Sequence, residues 1–285
     1  MKKRLVALVI CFIMATASYT CVFATSTESN NEFYVIYIPY KMDGEYNRQK
    51  VIKARYKDTK EPITLSLTYD NKLYATIPVE NTDREIEAYE TEHVTFTDND
   101  EQFYQYHVFE ELSRTGVVKG NDKGEALPFS NITRAEATAM LIRFLGLKGP
   151  AMQGTIRIFD DITSDKWYYR EVLWAYNYGL VKGDSKTTFS PERNVSREEF
   201  VVMAARVADM AKLGFVGDDN MNAIDGDKIS DWAKEAYSKL GNYVETDVDN
   251  TNPQKPVRVI NPQKSATRYD AASLLYNLAY FGKLK

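Results

Sequence analysis

The sequence predicts an α+β chain of several domains: a small N-terminal β-rich domain, then an all-helical region of three related units. Three observations carry the prediction. Residues 33–90 hold five runs rich in β-branched and aromatic residues. The texture turns helical beyond residue 95. Stretch 96–143 laid without gaps over 159–206 gives 14 identities in 48 positions, gathered on Gly, Pro and helix-start residues.

The first 24 residues stand apart. Lys2, Lys3 and Arg4 precede an apolar run from Leu5 to Ala15, and Val22-Phe23-Ala24 offers small residues before Thr25. This is the pattern of a secretory signal peptide, too short for a membrane span and with no stop-transfer segment after it. The expectation is an exported chain with no membrane insertion after cleavage. Both cysteines, Cys11 and Cys21, lie in this leader. Ser18-Tyr19-Thr20 is a poor lipid-attachment context for Cys21, so the mature chain is expected to rely on its core or on oligomerisation rather than disulfides. Without the leader, 33 Lys and Arg face 40 Asp and Glu, a net charge of −7. That balance argues against sequence-independent nucleic-acid binding, and any anionic partner must be met by local cations.

The β-domain is expected over 25–95. FYVIYIPY (33–40), KVIKARY (50–56), ITLSLTY (63–69), LYATIPV (73–79) and REIEAYE (84–90) read as strands. Ile63, Leu65, Leu67 and Tyr69 alternate with polar neighbours, as do Ala75, Ile77 and Val79, which buries one sheet face. Tyr69-Asp70-Asn71-Lys72 reads as a hairpin turn. Nothing in this domain has the pattern of a catalytic site.

Units are expected at 96–158, 159–221 and, degenerate, 222–285. Each reads as helix, loop, helix. A first helix from Tyr104 or Trp167 ends at Gly116 or Gly179, a left-handed terminating position. A loop bearing Gly and Pro follows (120–130, 183–193). The second helix then shows an apolar stripe, Ala137, Met140, Leu141 and Phe144, matched by Phe200, Met203, Ala204 and Val207. The third unit opens at ISDWAKEAYSKL (229–240) and resumes from Thr267 to Tyr280, with a longer, different middle. One such pair cannot bury its stripe alone, so the three units must pack together.

Thr133-Arg134-Ala135-Glu136, Ser196-Arg197-Glu198-Glu199 and Thr267-Arg268-Tyr269-Asp270 have capping-box form, which accounts for the hydroxyl and the acid. It does not account for the arginine, a cation at the positive end of a helix dipole, which costs about 0.3–1 kcal/mol. Two readings stay open: an ion pair with an acid of the neighbouring unit, or an anionic ligand beside the free amides of the helix start. Trp167 and Trp232, with Tyr104 in the same place, are either core or stacking platforms for a sugar ring.

Together these residues resemble the S-layer homology (SLH) domain family. FDDITSDKWYYREVLWAYNYGLVKG followed by TTFSPERNVSREEF is similar to its pattern of Asp-Trp opening, helix ending in Gly, Gly/Phe/Pro loop and "TRAE" helix start. VVKG with NITRAEATAML fits a first unit; ISDWAKEAY with ATRYDAA fits a third. The resemblance covers about 190 of the 285 residues. It implies three tandem SLH repeats around a pseudo-threefold axis with a central helix bundle, in a Gram-positive cell-surface protein. It further implies non-covalent binding of an anionic secondary cell-wall polysaccharide, often pyruvylated. By the motif match, Arg134, Arg197 and Arg268 would meet its carboxylates, and Trp167, Trp232, Tyr104, Gly120 and Gly183 would line the grooves. Departures are Tyr104 in place of Trp, Asp184 where an aromatic often follows the Gly, and the wholly different loop 242–264.

The sequence calls for no enzyme, cofactor or metal. The mature chain lacks cysteine, and His93 and His107 form no triad. Asp160/Asp161 and Asp218/Asp219 read as loop charge, or at Asp161 as the repeat opening. GDDNMNAIDGD (217–227) departs from the calcium-loop spacing and reads as a polar linker. A carbohydrate-active enzyme ranks lower for want of paired carboxylates. The alternative is a structural or display protein whose β-domain binds another surface partner.

Overall fold

The computed structural model describes residues 21–24, 33–38, 50–63, 65–67, 73–78, 83–92, 95–98, 104–114, 116–146, 158–211, 213–214, 223, 225–251, 254, 256–281 and 283–284. Its N-terminal strands form two antiparallel sheets. One runs β1-β2-β6-β5, from Cys21–Ala24, Phe33–Ile38, Leu73–Pro78 and Leu65–Leu67; the other runs β4-β3-β7, from Pro62–Ile63, Lys50–Tyr56 and Ile86–Glu92. The run 63–69 therefore does not form one strand. Ile63 pairs with Ala54 in one sheet and Leu65 with Ala75 in the other. Pro62 has no N–H to donate, which suits the short edge strand β4 and discourages a longer one. The expected turn at 69–72 lies outside the described residues; the flanking strands pair antiparallel, with Leu67 opposite Leu73. Ala54, Tyr56, Ile63 and Ile77 are buried. Arg84 lies 3.8 Å over the Tyr56 ring and bonds Asp58 at 2.7 Å, fastening the turn after β3.

Among the described residues six α-helices follow: α1 Tyr104–Arg114, α2 Arg134–Phe144, α3 Tyr169–Asn177, α4 Arg197–Met210, α5 Lys234–Leu240 and α6 Arg268–Phe281. The helices α2, α4 and α6 are inner and touch one another pairwise, while α1 packs on α6, α3 on α2 and α5 on α4. Each outer helix thus packs against the inner helix of the preceding unit, in cyclic order. The inner helices are correspondingly buried far beyond a single stripe. In α2 the residues Ala135, Ala137, Ala139, Met140, Leu141, Ile142 and Phe144 are all buried, because partners lie on several sides.

At the centre, three peptide groups close a ring: Ile132 N–H donates to the Ala266 carbonyl, Ala266 N–H to Val195, and Val195 N–H to Ile132, at 3.0, 2.9 and 3.2 Å. All three side chains are fully buried. Gly116 and Gly179 take φ of +78° and +71° where the first helices end, as the sequence predicts. α3 starts at Tyr169 rather than Trp167, which sits in the preceding turn closed by Tyr169 N–H to the Lys166 carbonyl. In the third unit a 3₁₀ turn over Asp231–Ala233 precedes α5. Its long middle folds into a hairpin of β9 (Asp247–Asp249) and β10 (Val257–Val259), with Val259 opposite Asp247. Two further short strands, β8 (Leu213–Gly214) and β11 (Lys283–Leu284), pair antiparallel and fasten the end of α4 to the end of α6.

Candidate functional site

The capping boxes form in all three inner helices. Thr133 and Glu136, Ser196 and Glu199, and Thr267 and Asp270 exchange side-chain-to-backbone bonds at 2.8–3.3 Å. The next amides are also taken. Arg134 N–H donates to the Arg193 carbonyl and Ala135 N–H to Pro191; Arg197 and Glu198 donate to Lys264 and Pro262, and Arg268 and Tyr269 to Ser130 and Pro128, all at 2.8–2.9 Å. This overturns the expectation of free amides awaiting an anion. The loop of the following unit supplies carbonyls to each helix start, so no N-terminal anion site is left open there.

A second threefold set supports those loops. Asp98 accepts from Ala126 and Leu127, Asp161 from Phe189 and Ser190, and Asp225 from Ile260 and Asn261. Leu127, Ser190 and Asn261 stand at φ of 49°, 61° and 51°, a left-handed conformation costing about 1–2 kcal/mol for a non-glycine residue. The carboxylate receives the N–H of that strained residue and the one before it, which offsets the cost. Asp225 is 3% exposed. Its place in an apparent polar linker was misleading; the signal for it was an Asp seven residues before Trp232, close to the six-residue step from Asp161 to Trp167.

The arginines cross from unit to unit. Arg134 donates to the Lys182 carbonyl at 2.5 Å, its guanidinium lies 4.7 Å over the Phe189 ring, and Asp184 is 3.7 Å away. Its Nε is buried without a hydrogen-bond partner among the described residues. Burial pulls the Arg134 pKa below its usual value, and Arg193 and Arg206 add to that shift against the opposing Asp184 and Glu199. Arg197 bonds Asp270 through Nε and Nη2 at 3.1 and 2.9 Å, Asp247 through Nη1 and Nη2 at 3.1 and 3.0 Å, and the Ile260 carbonyl at 2.9 Å. Burial opposes that charge, yet Asp270 and Asp247 outweigh it and raise the pKa. Arg268 reaches the Ala126 and Lys119 carbonyls at 2.9 and 3.0 Å and Glu136 at 3.2 Å. The neighbour-unit ion pair is therefore present at Arg197 and Arg268. At Arg134 it is weaker: Asp184 stands 3.7 Å off, and Arg193 takes both Glu199, at 2.8 Å, and Asp184, at 3.1 Å. Arg193 carries no repeat signal, because the equivalent residue of the first unit is Ser130.

The aromatics at the unit openings are exposed rather than core. Tyr104 is 58% exposed and Trp167 and Trp232 are each 56% exposed. Arg143 lies 5.9 Å from the Trp167 ring. Gly183 is fixed by close approach, since a Cβ there would meet the Ser185 carbonyl at 2.3 Å and Phe159 at 2.6 Å. At Gly120 the nearest atom would be a Gly124 backbone carbon at 3.0 Å. These glycines shape the loops whose preceding carbonyls, Lys119 and Lys182, receive the arginines. Among the described residues no cluster of His, Cys, Asp and Glu could hold a metal ion. His93 and the Asp218/Asp219 pair lie outside them. No described helix is long and apolar enough to cross a membrane.

Comparison with known proteins places this geometry. The family description "S-layer homology domain" matches residues 158–201. The chain is 32% identical over 174 residues to an amylopullulanase of Thermoanaerobacterium thermosulfurigenes, covering 60% of this chain and 9% of that protein. It is 32% identical over 188 residues to exoglucanase XynX of Acetivibrio thermocellus, covering 65% and 16%. It is 29% identical over 170 residues to the surface-layer 125 kDa protein of Lysinibacillus sphaericus, covering 59% and 13%. The chain thus spans less than a fifth of each of these relatives. It carries an S-layer homology domain at residues 158–201 and is a protein of the cell surface or cell wall.

Proposed function

We propose that the chain is a non-catalytic anchor that holds to the cell wall through three S-layer homology units, bounded near 96–158, 159–221 and 222–285 and arranged as a pseudo-trimer. Its ligand is an anionic, pyruvylated secondary cell-wall polysaccharide, since an arginine suits a carboxylate and a net-acidic chain must meet an anion with local cations. Arg134, Arg197 and Arg268 are the cations offered at the three inner-helix starts, Arg197 being already engaged by Asp270 and Asp247, and Tyr104, Trp167, Trp232, Gly120 and Gly183 line the candidate binding surface. The observation that carries this reading is the matched exposure of Tyr104, Trp167 and Trp232. Three large aromatics at equivalent places, each more than half exposed, have the amphipathic surface that suits a sugar face. The leader 1–24 exports the chain, and the β-domain 25–95 is left to face a further surface partner.

Co-sedimentation of the secreted chain with purified Gram-positive cell walls tests the anchor. Binding is expected to vanish when the walls are stripped of secondary polymer, and Trp167→Ala and Trp232→Ala should weaken it while leaving the melting temperature within a few degrees. Undiminished binding to stripped walls would refute the reading.

A further inference from the structure

The three arginines differ in how many of their five N–H donors are already used. Arg197 uses all five, two on Asp270, two on Asp247 and one on the Ile260 carbonyl. Arg268 makes three such bonds and Arg134 one among the described contacts. The difference at Arg197 comes from Asp247. Asp270 is the capping acid of α6 and has a counterpart in Glu136, which Arg268 meets. Asp247 instead rides on the β9–β10 hairpin, which has no counterpart among the described residues of the other two units. Its carboxylate is received by Arg197 Nη1 and Nη2, by Lys264 Nζ at 3.0 Å and by Asn261 Nδ2 at 2.8 Å. A fork, an ammonium and an amide converging on one carboxylate make a complete receptor for that group.

We propose that Asp247 is an intramolecular ligand: it fills the carboxylate site on Arg197 and closes the groove between the second and third units to an external acidic sugar. Only the identity of that external sugar rests on the proposed anchoring function. Arg134 shows the same arrangement without an acid held against its guanidinium at hydrogen-bond distance. There Asp184 stays 3.7 Å from the guanidinium and pairs with Arg193, and the Arg134 Nε, in a residue 7% exposed, has no acceptor among the described residues.

Sodium acetate is the probe, against equal sodium chloride at neutral pH. Asp247→Ala should melt below the parent chain, and acetate should raise its melting temperature in a concentration-dependent way by several degrees, as a ligand of the folded state does. The parent and the Arg197→Ala/Asp247→Ala double variant should not respond. Asp247→Asn, whose amide can swing outward, should respond in the same direction and serves if Asp247→Ala does not fold. Equal responses in all chains, or none in either single variant, overturn the proposal. In a second arm, soluble polymer released from purified walls is titrated calorimetrically. Asp247→Asn should bind more polymer per chain than the parent, a gain lost in Arg197→Ala/Asp247→Asn. A parent that binds polymer with no gain in Asp247→Asn also overturns it. Failure of every chain to bind polymer refutes the anchoring function instead, and the acetate response then decides the role of Asp247.

Discussion

Replacing Arg197 should cost far more stability than replacing Arg134, although the two occupy the same place in the repeat. Arg197→Ala removes five hydrogen bonds and leaves Asp270, whose side chain is 11% exposed, without its cation. Breaking a buried ion pair by removing one partner costs about 3–5 kcal/mol. Asp247 is a third exposed and keeps Lys264 and Asn261, so water and those neighbours absorb part of the loss. About 3 kcal/mol remains, or roughly 6–12 °C in melting temperature for a region of this size. Arg134→Ala loses one bond to the Lys182 carbonyl, a contact with Phe189 and a loose 3.7 Å pairing with Asp184, together about 1–2 kcal/mol. It also removes a buried Nε that has no partner, which returns about 1 kcal/mol or more. The net change should lie within about 1 kcal/mol. Thermal melts followed by circular dichroism, checked by urea titration, read the contrast. Equal losses in the two variants would refute the distinction between a saturated and an unsaturated arginine.

Two further outcomes follow from the same geometry. Burial alone would raise the Asp247 carboxyl, but hydrogen bonds from Arg197, Lys264 and Asn261 bring it down to about 2 from an unfolded value of 3.8. A depressed folded pKa contributes stability that is present above the unfolded value and lost as pH falls towards the folded one. Melting temperature should therefore decline between about pH 4 and pH 2, and less steeply in Asp247→Asn, where an unchanged slope would argue against the pairing. Gly183→Ala should lower the melting temperature more than Gly179→Ala. The first forces a Cβ against two carbonyls and Phe159, whereas the second meets open space and costs about 1 kcal/mol for its φ of +71°.

What was legible in the sequence were the features that act locally. The capping boxes need only residues three apart, and Gly116 and Gly179 mark helix ends by backbone conformation alone. The repeat of 63 residues also exposed the loop prolines and the openings Asp98 and Asp161. Partners distant in the chain were not legible. Arg268 meets Glu136 across 132 residues and Arg197 meets Asp270 across 73, so the sequence left the ion pair and the anionic ligand undecided. The amides of the helix starts looked free because the carbonyls that occupy them come from another unit. The alternation in 63–69 suggested one strand, where a change of sheet intervenes.

The cyclic arrangement explains how the third unit can differ so much and still close the structure. Its backbone bonds to the other units include the Ala266 peptide in the central ring and the Pro262 and Lys264 carbonyls at the start of α4, and Arg268 reaches into the first unit. Asp225 and the left-handed Asn261 fix the loop that presents those carbonyls, as Asp161 and Ser190 do in the second unit. None of these groups lies between Val244 and Val259. The chain there is free to grow without disturbing the ring, since lengthening a surface loop costs little entropy. In this protein the added length forms a hairpin, and the hairpin delivers Asp247 to Arg197. A change in loop length thus becomes a change in charge at one groove, while the packing of the three inner helices stays as it is.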